Sequence, residues 1–257
     1  MKTNSVNRDA LSGALQELLN ADRFADYCPN GLQVEGKERV SLLVSGVTAS
    51  LRFLESAIAA GADAVLVHHG WFWRGEDARI VGPKRARLAR ALGADLNVYA
   101  YHLPLDGHER LGNNAQLALQ LKLPSAPEHI QRFGEQGIGW CCELAAATTA
   151  PALCAVLEER LGRAPLAVGA LERPIRRLAW CTGAAHSLLS SAIAAGADAF
   201  ISGEINEPTV HLAREAGVVY IAAGHHATER FGVQAVGNEI AQRLGIAHRF
   251  IDDPNPV

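Results

Sequence analysis

The chain has 257 residues, of which 49% are hydrophobic and 20% charged, and its formal net charge is -3. No run of like charge is typical of a nucleic-acid-binding arm and no apolar run is long enough to span a bilayer, so we expect neither nucleic acid nor a membrane as partner. The first residues lack the apolar stretch of a secretion signal and no Cys-x-x-Cys pair occurs, which together predict a protein of the cytoplasm with reduced cysteines.

The first predicted element is a helix over residues 7–19, which ends near a polar loop containing Pro29, Asn30 and Gly31. The apolar run at residues 41–47 follows this loop and predicts a buried strand. The opening helix therefore precedes the first repeat.

A nine-residue sequence, SAIAAGADA, occurs at residues 56–64 and again at residues 191–199, an offset of 135 residues (191 minus 56). Each copy follows one short apolar run and leads into another, so each predicts a strand, a helix, a glycine turn and a second strand. Gly61 and Gly196 stand where the end of a helix requires left-handed backbone. The repeat indicates an internal duplication.

Each half continues with a third apolar run and an amphipathic helix. In the first half this helix opens at Asn113 or Asn114, and in the second Thr228 can cap the helix. Alternating strands and helices predict sheets with parallel character, covered by helices on both faces. We predict an α/β fold of two similar three-layer α/β/α lobes with mixed sheets, related by internal duplication.

Prolines and a loss of periodicity over residues 124–133 predict the connection between the lobes. We place the first lobe at residues 1–125 and the second at residues 126–257. Two histidine motifs fall in the first lobe and a third in the second.

The first motif is the pair His68 and His69, directly after the predicted strand at residues 64–67. The carboxyl ends of strands in open α/β sheets commonly hold ligands. Because successive strand residues face opposite ways, both imidazoles reach one site only if the chain turns there, which Gly70 permits. The alternative is one histidine packed in the core and one in solvent.

The two other motifs have the form His-x-x-x-carboxylate, again just after predicted strands. Their recurrence after a duplication argues against chance. Six nitrogen and oxygen ligands without thiolate suit two divalent metal ions, with zinc, iron, manganese and nickel as candidates. The predicted metal ligands are His68, His69, His102, Asp106, His225 and Glu229.

Other polar and aromatic residues have less specific patterns. Glu204 holds the place in the second repeat that His69 holds in the first (69 plus 135), and either lines the same cleft or is a polar residue at a strand end. His226 adjoins a proposed ligand and could orient it.

The aromatic residues 71–73 either stack on a base or are buried in an interface, the simpler explanation. Histidines without a ligand-spaced partner are expected in the core or at the surface: His108, His129, His186, His211 and His248.

Several motifs follow one another along nearly the full length: DYCPNGLQVEG at residues 26–36, His68-His69-Gly70, residues 102–106 with Gly112-Asn113-Asn114, Ser202-Gly203-Glu204, and residues 224–229. In this order they resemble the motifs of the Nif-three-like dinuclear metal-binding proteins, also called GTP cyclohydrolase 1 type 2 homologues. Leu103 and His226 depart from the family pattern, which more often has Thr and Tyr there. Neither departure removes a predicted ligand.

The resemblance implies that the same histidines and carboxylates bind metal, with His102 at the site but not bound in every state. It also implies a ring-shaped homohexamer, a trimer of dimers, with the metal sites facing an internal cavity.

We therefore expect a metal-dependent hydrolase that acts on a nucleotide or related small molecule, with GTP as the substrate suggested by the resemblance. His102 and Glu229 are the candidates for proton transfer. No common phosphate-binding loop occurs in the sequence, so the residues themselves do not single out a nucleotide. The alternative is a non-catalytic protein that binds or delivers metal, or a scaffold, using the same ligands.

Overall fold

The computed structural model describes residues 4–124 and 127–257. The predicted lobe boundary between residues 125 and 126 falls outside the described residues, so lobes at residues 1–125 and 126–257 stay a prediction. The chain forms two compact units, the first made of Met1–Gly112 and Gly232–Asp253 and the second of Asn113–Phe231 and Pro254–Val257. Within the described ranges, no helix combines the length and apolar character needed to cross a membrane.

The helices and strands alternate along most of the chain. The helices are α1 Arg8–Leu19, α2 Leu51–Ala59, α3 Gly82–Gly93, α4 Leu103–Gly107, α5 Asn113–Gln120, α6 Ala150–Leu161, α7 Leu189–Ala194, α8 Glu207–Glu215 and α9 His225–Leu244. The strands are β1 Val6–Asn7, β2 Gly31–Val34, β3 Arg39–Val40, β4 Leu42–Thr48, β5 Ala64–His69, β6 Asn97–Ala100, β7 Gln131–Phe133, β8 Gly139–Thr148, β9 Leu166–Gly169, β10 Ile175–Trp180, β11 Ala199–Ser202, β12 Val219–Ala222 and β13 Ala247–Phe250. Short 3-10 helices lie at Ala21–Arg23, Pro127–His129, Glu135–Gly137 and His186–Leu188.

The first unit is built on a mixed sheet of order β13-β4-β5-β6-β2, in which only the edge strand β2 is antiparallel to its neighbour. Alternate residues of the central strand face opposite layers. Ala64 and Leu66 of β5 pack with α1 and with the part of α9 that follows Gly232. Val65 and Val67 pack with α2 and α3. The sheet is therefore covered by helices on both faces.

The second unit has a mixed sheet of order β7-β8-β10-β11-β12-β9, with β10, β11 and β12 parallel. Leu178 and Trp180 of β10 pack with α5 and α6, whereas Ala179 packs with α7 on the other face. Both units thus have helix, sheet and helix layers. The prediction of two three-layer α/β/α lobes with mixed sheets is confirmed.

The two copies of the repeat form the same local structure. Helices α2 and α7 run into glycine turns at Gly61 and Gly196, whose φ angles are +82° and +80°. Left-handed backbone of this kind favours glycine, as the sequence predicts. Each turn leads directly into a parallel strand, β5 or β11.

The prediction that Thr228 caps the last long helix is wrong. Helix α9 begins at His225, because Gly224 with φ of +101° turns the chain as soon as β12 ends. Thr228 lies inside the first turn, where its hydroxyl donates to the carbonyl of His225 at 2.9 Å and accepts from the backbone N–H of Gly183 at 3.1 Å. The predicted ligands of this region therefore lie on the helix itself.

Candidate metal centre

Three predicted ligands of the first unit meet at the carboxyl ends of neighbouring parallel strands. His68 and His69 end β5 and His102 follows β6. Each offers one ring nitrogen, and these atoms lie within 4.8 Å of one another. The structure therefore groups these three imidazoles.

Both adjacent histidines reach this group because the strand ends with them. Gly70 follows, and a β-carbon at this position would overlap with the side chains of Gln33 and Ala100. Only glycine permits so close a passage of the backbone, so the turn needed after His69 is fixed by the sequence.

His68 is fully buried and has a defined orientation. Its Nδ1 lies 3.0 Å from the carbonyl oxygen of Tyr101, and a carbonyl only accepts, so Nδ1 carries the hydrogen. The lone pair is then on Nε2, which lies 3.5 Å from Oδ1 of Asp106, a buried carboxylate presented by α4. A histidine held through Nδ1 in this way is typical of metal ligands.

His69 and His102 are also held through Nδ1. The Nδ1 of His69 lies 3.3 Å from the hydroxyl of Thr48, its register partner on β4. The Nδ1 of His102 donates to Oδ1 of Asp26 at 2.9 Å. In the latter case the lone pair is again on Nε2.

Asp26 orients His102, and no pattern in the sequence predicted this contact. Burial raises its pKa, but the hydrogen bond and charge of His102, with further hydrogen bonds from Asn30 and the backbone of Leu103, outweigh burial and lower the pKa to about 2. Asn30 also accepts from the backbone N–H of His102 at 2.8 Å. Both residues lie in the motif at residues 26–36, which carries part of the family resemblance but predicts no role for either.

The second unit contains the other two predicted ligands. His225 and Glu229 lie one helical turn apart at the start of α9, with Nε2 of His225 3.1 Å from Oε2 of Glu229. The Nδ1 of His225 lies 2.6 Å from Oε1 of Glu204, which follows the carboxyl end of β11. Glu204 is therefore the residue that orients His225, a role that the sequence did not predict for it.

The carboxylates around His225 attract positive charge. Burial lowers the pKa of His225, but the hydrogen bond and charge of Glu229, followed by those of Glu204, outweigh burial and raise the pKa to about 9. Glu229 itself is only 2% exposed. A buried carboxylate is stable only with a cation or proton nearby, so this pair suits a metal ion.

Two glycines make room for these side chains. A β-carbon at Gly203 would lie 2.6 Å from Cα of His225, and one at Gly183, whose φ is +71°, would overlap with Oε1 of Glu229. Larger residues at either position would displace the helix start or the carboxylate.

The donor atoms in each unit fit a divalent transition metal. Imidazole nitrogens with Nδ1 already engaged and carboxylate oxygens suit zinc, iron, manganese or nickel. The first unit supplies His68, His69, His102 and Asp106, and the second supplies His225 and Glu229. Use of all six by two ions stays a prediction.

Three of the other histidines have contacts of their own. The Nδ1 of His108 accepts from the backbone N–H groups of Arg110 and Leu111, and His248 lies between Ser45 and Asn238. The backbone N–H of His226 donates to the carbonyl of Val257. The side-chain contacts of His108 and His248 account for these two residues without a metal.

Comparison with known proteins identifies close relatives over nearly the whole chain. The family model described as Duf34/NIF3 (NGG1p interacting factor 3) matches residues 6–256. A Pseudomonas aeruginosa protein named GTP cyclohydrolase 1 type 2 homolog is 50% identical over 258 residues, covering 96% of this chain and 99% of the relative. A solved structure described as protein ybgI, of unknown function, has a TM-score of 0.89 at 46% identity, covering 98% of this chain and 100% of that chain. The structure of TTHA1606 from Thermus thermophilus has a TM-score of 0.87 at 31% identity, covering 98% and 100%.

Proposed function

The chain belongs to the Duf34/NIF3 family, and on this premise we propose that it is a metal-dependent hydrolase that uses two divalent metal ions. The observation that carries the proposal is the common orientation of the histidines. His68, His102 and His225 each have Nδ1 bound to a carbonyl or carboxylate oxygen. Such a set leaves Nε2 as the nitrogen for a metal, and the nearby carboxylates complete a ligand set of nitrogen and oxygen.

The ligand set of this proposal is His68, His69, His102, Asp106, His225 and Glu229. When bound by these residues, two divalent metal ions would supply Lewis acidity to activate water and to polarise the bond to be attacked. His102 is the candidate for proton transfer in the first unit in the state in which it does not bind metal, because Asp26 holds its Nδ1 and so leaves Nε2 to accept a proton. Glu229 is the corresponding candidate in the second unit.

GTP is the first substrate to test. The relative from Pseudomonas aeruginosa carries the name GTP cyclohydrolase 1 type 2 homolog, and hydrolysis of this substrate would open the guanine ring at C8. The chain's own residues support the reaction class, water-dependent hydrolysis, more directly than they support the base.

The test combines metal content with turnover on the same samples. We expect about two metal ions per chain by inductively coupled plasma mass spectrometry after dialysis against a weak chelator, and loss of the guanine absorbance when GTP is added with manganese, zinc or iron. His68→Ala and Glu229→Gln should each lower the metal content. The control is His211→Ala, because the His211 side chain is 62% exposed and its nearest carboxylate is 3.9 Å away.

Each result decides between the proposal and its alternative. Two metals without turnover of GTP or related nucleotides would favour a non-catalytic protein that binds or delivers metal, or a scaffold. Unchanged metal content in both His68→Ala and Glu229→Gln would overturn the ligand assignment.

We also propose that the protein is a homohexamer of the cytoplasm. Light scattering on the purified full chain measures the assembly, and fractionation of cells that produce it measures the location. A monomer in solution, or recovery outside the cytoplasmic fraction, would contradict these two proposals respectively.

A further inference from the structure

Two aromatic rings flank the histidines of the first unit. The ring centroid of Tyr27 lies 5.0 Å from that of His102 with an edge-on angle of 70°, and Trp73 lies 5.0 Å from the same imidazole at 87°. The two aromatic rings are 5.8 Å apart and tilted by 40°, so they form a corner. Trp73 is also 6.1 Å from His69.

These rings are more exposed than core packing would require. Tyr27 is 50% exposed, and Trp73 is partly exposed. The other tryptophans are buried, with exposures of 4% for Trp71, 1% for Trp140 and 0% for Trp180. Trp71 is therefore buried within the chain and Trp73 is not, and burial of residues 71–73 in an interface between subunits stays a prediction.

The loop that carries Trp73 has a fixed and unusual backbone. Trp71 is held on both sides, since its N–H donates to Oε1 of Gln33 at 2.7 Å and its carbonyl accepts from Nε2 of Gln33 at 3.0 Å. Phe72 then takes a left-handed conformation with φ of +66°. A bulky residue rarely adopts this conformation, and such strain persists where the surroundings determine it, often at functional sites.

The segment that carries Tyr27 is tied to the same loop. The backbone N–H of Arg74 donates to the carbonyl of Tyr27 at 2.7 Å, and the guanidinium of Arg74 donates to the carbonyl of Asp26 at 3.0 Å. Asp26 is the residue that orients His102. The spacing of both rings from the imidazole is thus set by hydrogen bonds.

We propose that Tyr27 and Trp73 form a stacking platform that binds a planar heteroaromatic ring of the purine nucleoside class beside His69 and His102. This inference rests on the proposed function, because it assigns the residues that bind the base of the substrate at the same site. Aromatic side chains bind nucleobases through their faces without base-specific hydrogen bonds. A bicyclic ring is large enough to stack on one ring of the corner while meeting the edge of the other.

Fluorescence offers a direct test, because Trp73 is the partly exposed member of the four tryptophans. Guanosine or adenosine added to the full metal-loaded chain should quench the emission, whereas inorganic triphosphate should not. Trp73→Phe keeps an aromatic face but removes the reporter, so the quenching should disappear while calorimetric binding of the nucleoside remains.

Alanine variants measure the contribution of each ring. Tyr27→Ala and Trp73→Ala should each weaken nucleoside binding about tenfold or more, as found for base stacking elsewhere, while Tyr27→Phe should bind like the wild type. Metal content and circular dichroism of both alanine variants should match the wild type. Two separate rings keep the test decisive if one variant fails to fold.

The outcomes separate this inference from the proposed function. Absence of purine nucleoside binding by the wild type, or unchanged binding by both alanine variants, overturns the platform. A changed assembly by light scattering with unchanged nucleoside binding would assign the rings to a subunit contact, which also overturns it. Nucleoside binding that depends on the rings, without any hydrolysis, would support the platform and count against the hydrolase.

Discussion

The two copies of the nine-residue repeat keep the same structural carboxylate but carry different chemistry at the next strand end. Asp63 accepts two successive backbone N–H groups at the entry to β4, at 2.9 and 3.2 Å, and pairs with Lys37 at 2.8 Å. Asp198 accepts two successive N–H groups at the entry to β10, at 2.9 and 3.0 Å, and pairs with Arg173 at 2.6 Å. The carboxylate that joins strand, helix and strand is thus the same in both units.

The strand ends differ completely. β5 ends in His68 and His69, whereas the matching positions of the second copy, 203 and 204 (68 and 69 plus 135), hold Gly203 and Glu204. Glycine is required at 203 because the backbone of His225 lies against it. The duplication has therefore kept the residues that build the fold and changed those at the carboxyl ends, where α/β folds place their chemistry.

Removing the carboxylate that both copies share should have the largest effect on stability. Asp63→Ala and Asp198→Ala should each lower the free energy of unfolding by about 3 kcal/mol, because two backbone N–H groups and a cation lose their partner together. Urea denaturation measures this loss. Asp77→Ala is the control, since Asp77 is exposed and pairs with Arg79 only two residues away.

Equal losses at both positions would support one structural role for the two carboxylates. A loss at only one of them would show that the copies have diverged in structure as well as in chemistry. Asp63→Asn and Asp198→Asn sharpen the result, because an amide oxygen still accepts the backbone hydrogen bonds and should restore part of the stability.

Acid should destabilise the two units unequally. In the first unit the hydroxyl of Ser45 on β4 lies 2.8 Å from Nε2 of His248, and burial lowers the pKa of His248 to about 4. At the matching place in the second unit (45 plus 135), Trp180 donates instead to the carbonyl of Asn114, which does not titrate. The pH dependence should therefore arise in the first unit.

The sign follows from proton uptake. Below the ordinary histidine pKa of about 6.5 the unfolded chain binds a proton at His248 that the folded chain does not, so stability falls as the pH falls from about 6.5 to about 4. Because His248 is partly exposed, we expect the free energy of unfolding to fall by about 2 kcal/mol over this range. Hydrogen exchange of peptides from β4 and β13 at pH 7 and pH 4 measures it, and His248→Gln should remove this pH dependence. Equal changes in β10 and β4 would contradict the comparison.

The carboxylates that orient His102 and His225 lie at different places in the two units. Removing each carboxylate tests whether both of them support metal binding. Asp26 precedes β2 and holds His102, whereas Glu204 follows β11 and holds His225. Asp26→Asn and Glu204→Gln should each weaken metal binding about 10- to 100-fold, the usual effect of losing a residue that orients a ligand. Competition with a chromogenic chelator measures the affinity.

Glu207→Gln is the matched control for these variants, because its side chain is 87% exposed. Unchanged affinity in Glu204→Gln with reduced affinity in Asp26→Asn would mean that only the first unit uses an oriented histidine. Wild-type affinity in both variants would contradict the proposed ligand orientation.

Features that local sequence patterns encode could be predicted from the sequence. Contacts between segments that are distant in the chain could not. The repeat, the glycine turns and the three-layer fold follow from periodicity, and the candidate ligands could be proposed because they directly follow apolar strands. The role of Asp26 could not be predicted, since Asp26 lies 76 residues before His102 in the chain. For the same reason nothing predicted that β13, near the end of the chain, pairs with β4. The start of α9 was misplaced because Thr228 looks like a cap until the turn at Gly224 is known.

The smallest predicted effect concerns the two glycine turns, which are the most similar feature of the two copies. Gly61 and Gly196 have nearly the same φ, +82° and +80°. Among the described residues, no atom comes within 4 Å of a β-carbon placed at Gly61, and at Gly196 the nearest atoms belong to the side chain of Arg177 at 3.7 Å, an ordinary contact. Alanine therefore meets no steric obstacle at either site.

The cost of Gly61→Ala and Gly196→Ala should come from the left-handed backbone alone, about 1 kcal/mol at each site by urea denaturation. Asparagine tolerates this conformation better than alanine, so Gly61→Asn and Gly196→Asn should cost less. A larger loss for Gly196→Ala than for Gly61→Ala would mean that Arg177, which donates to the carbonyl of Ala195 at 2.8 Å, is displaced. Equal losses would mean that the two turns are still interchangeable, although the strand ends that follow them are not.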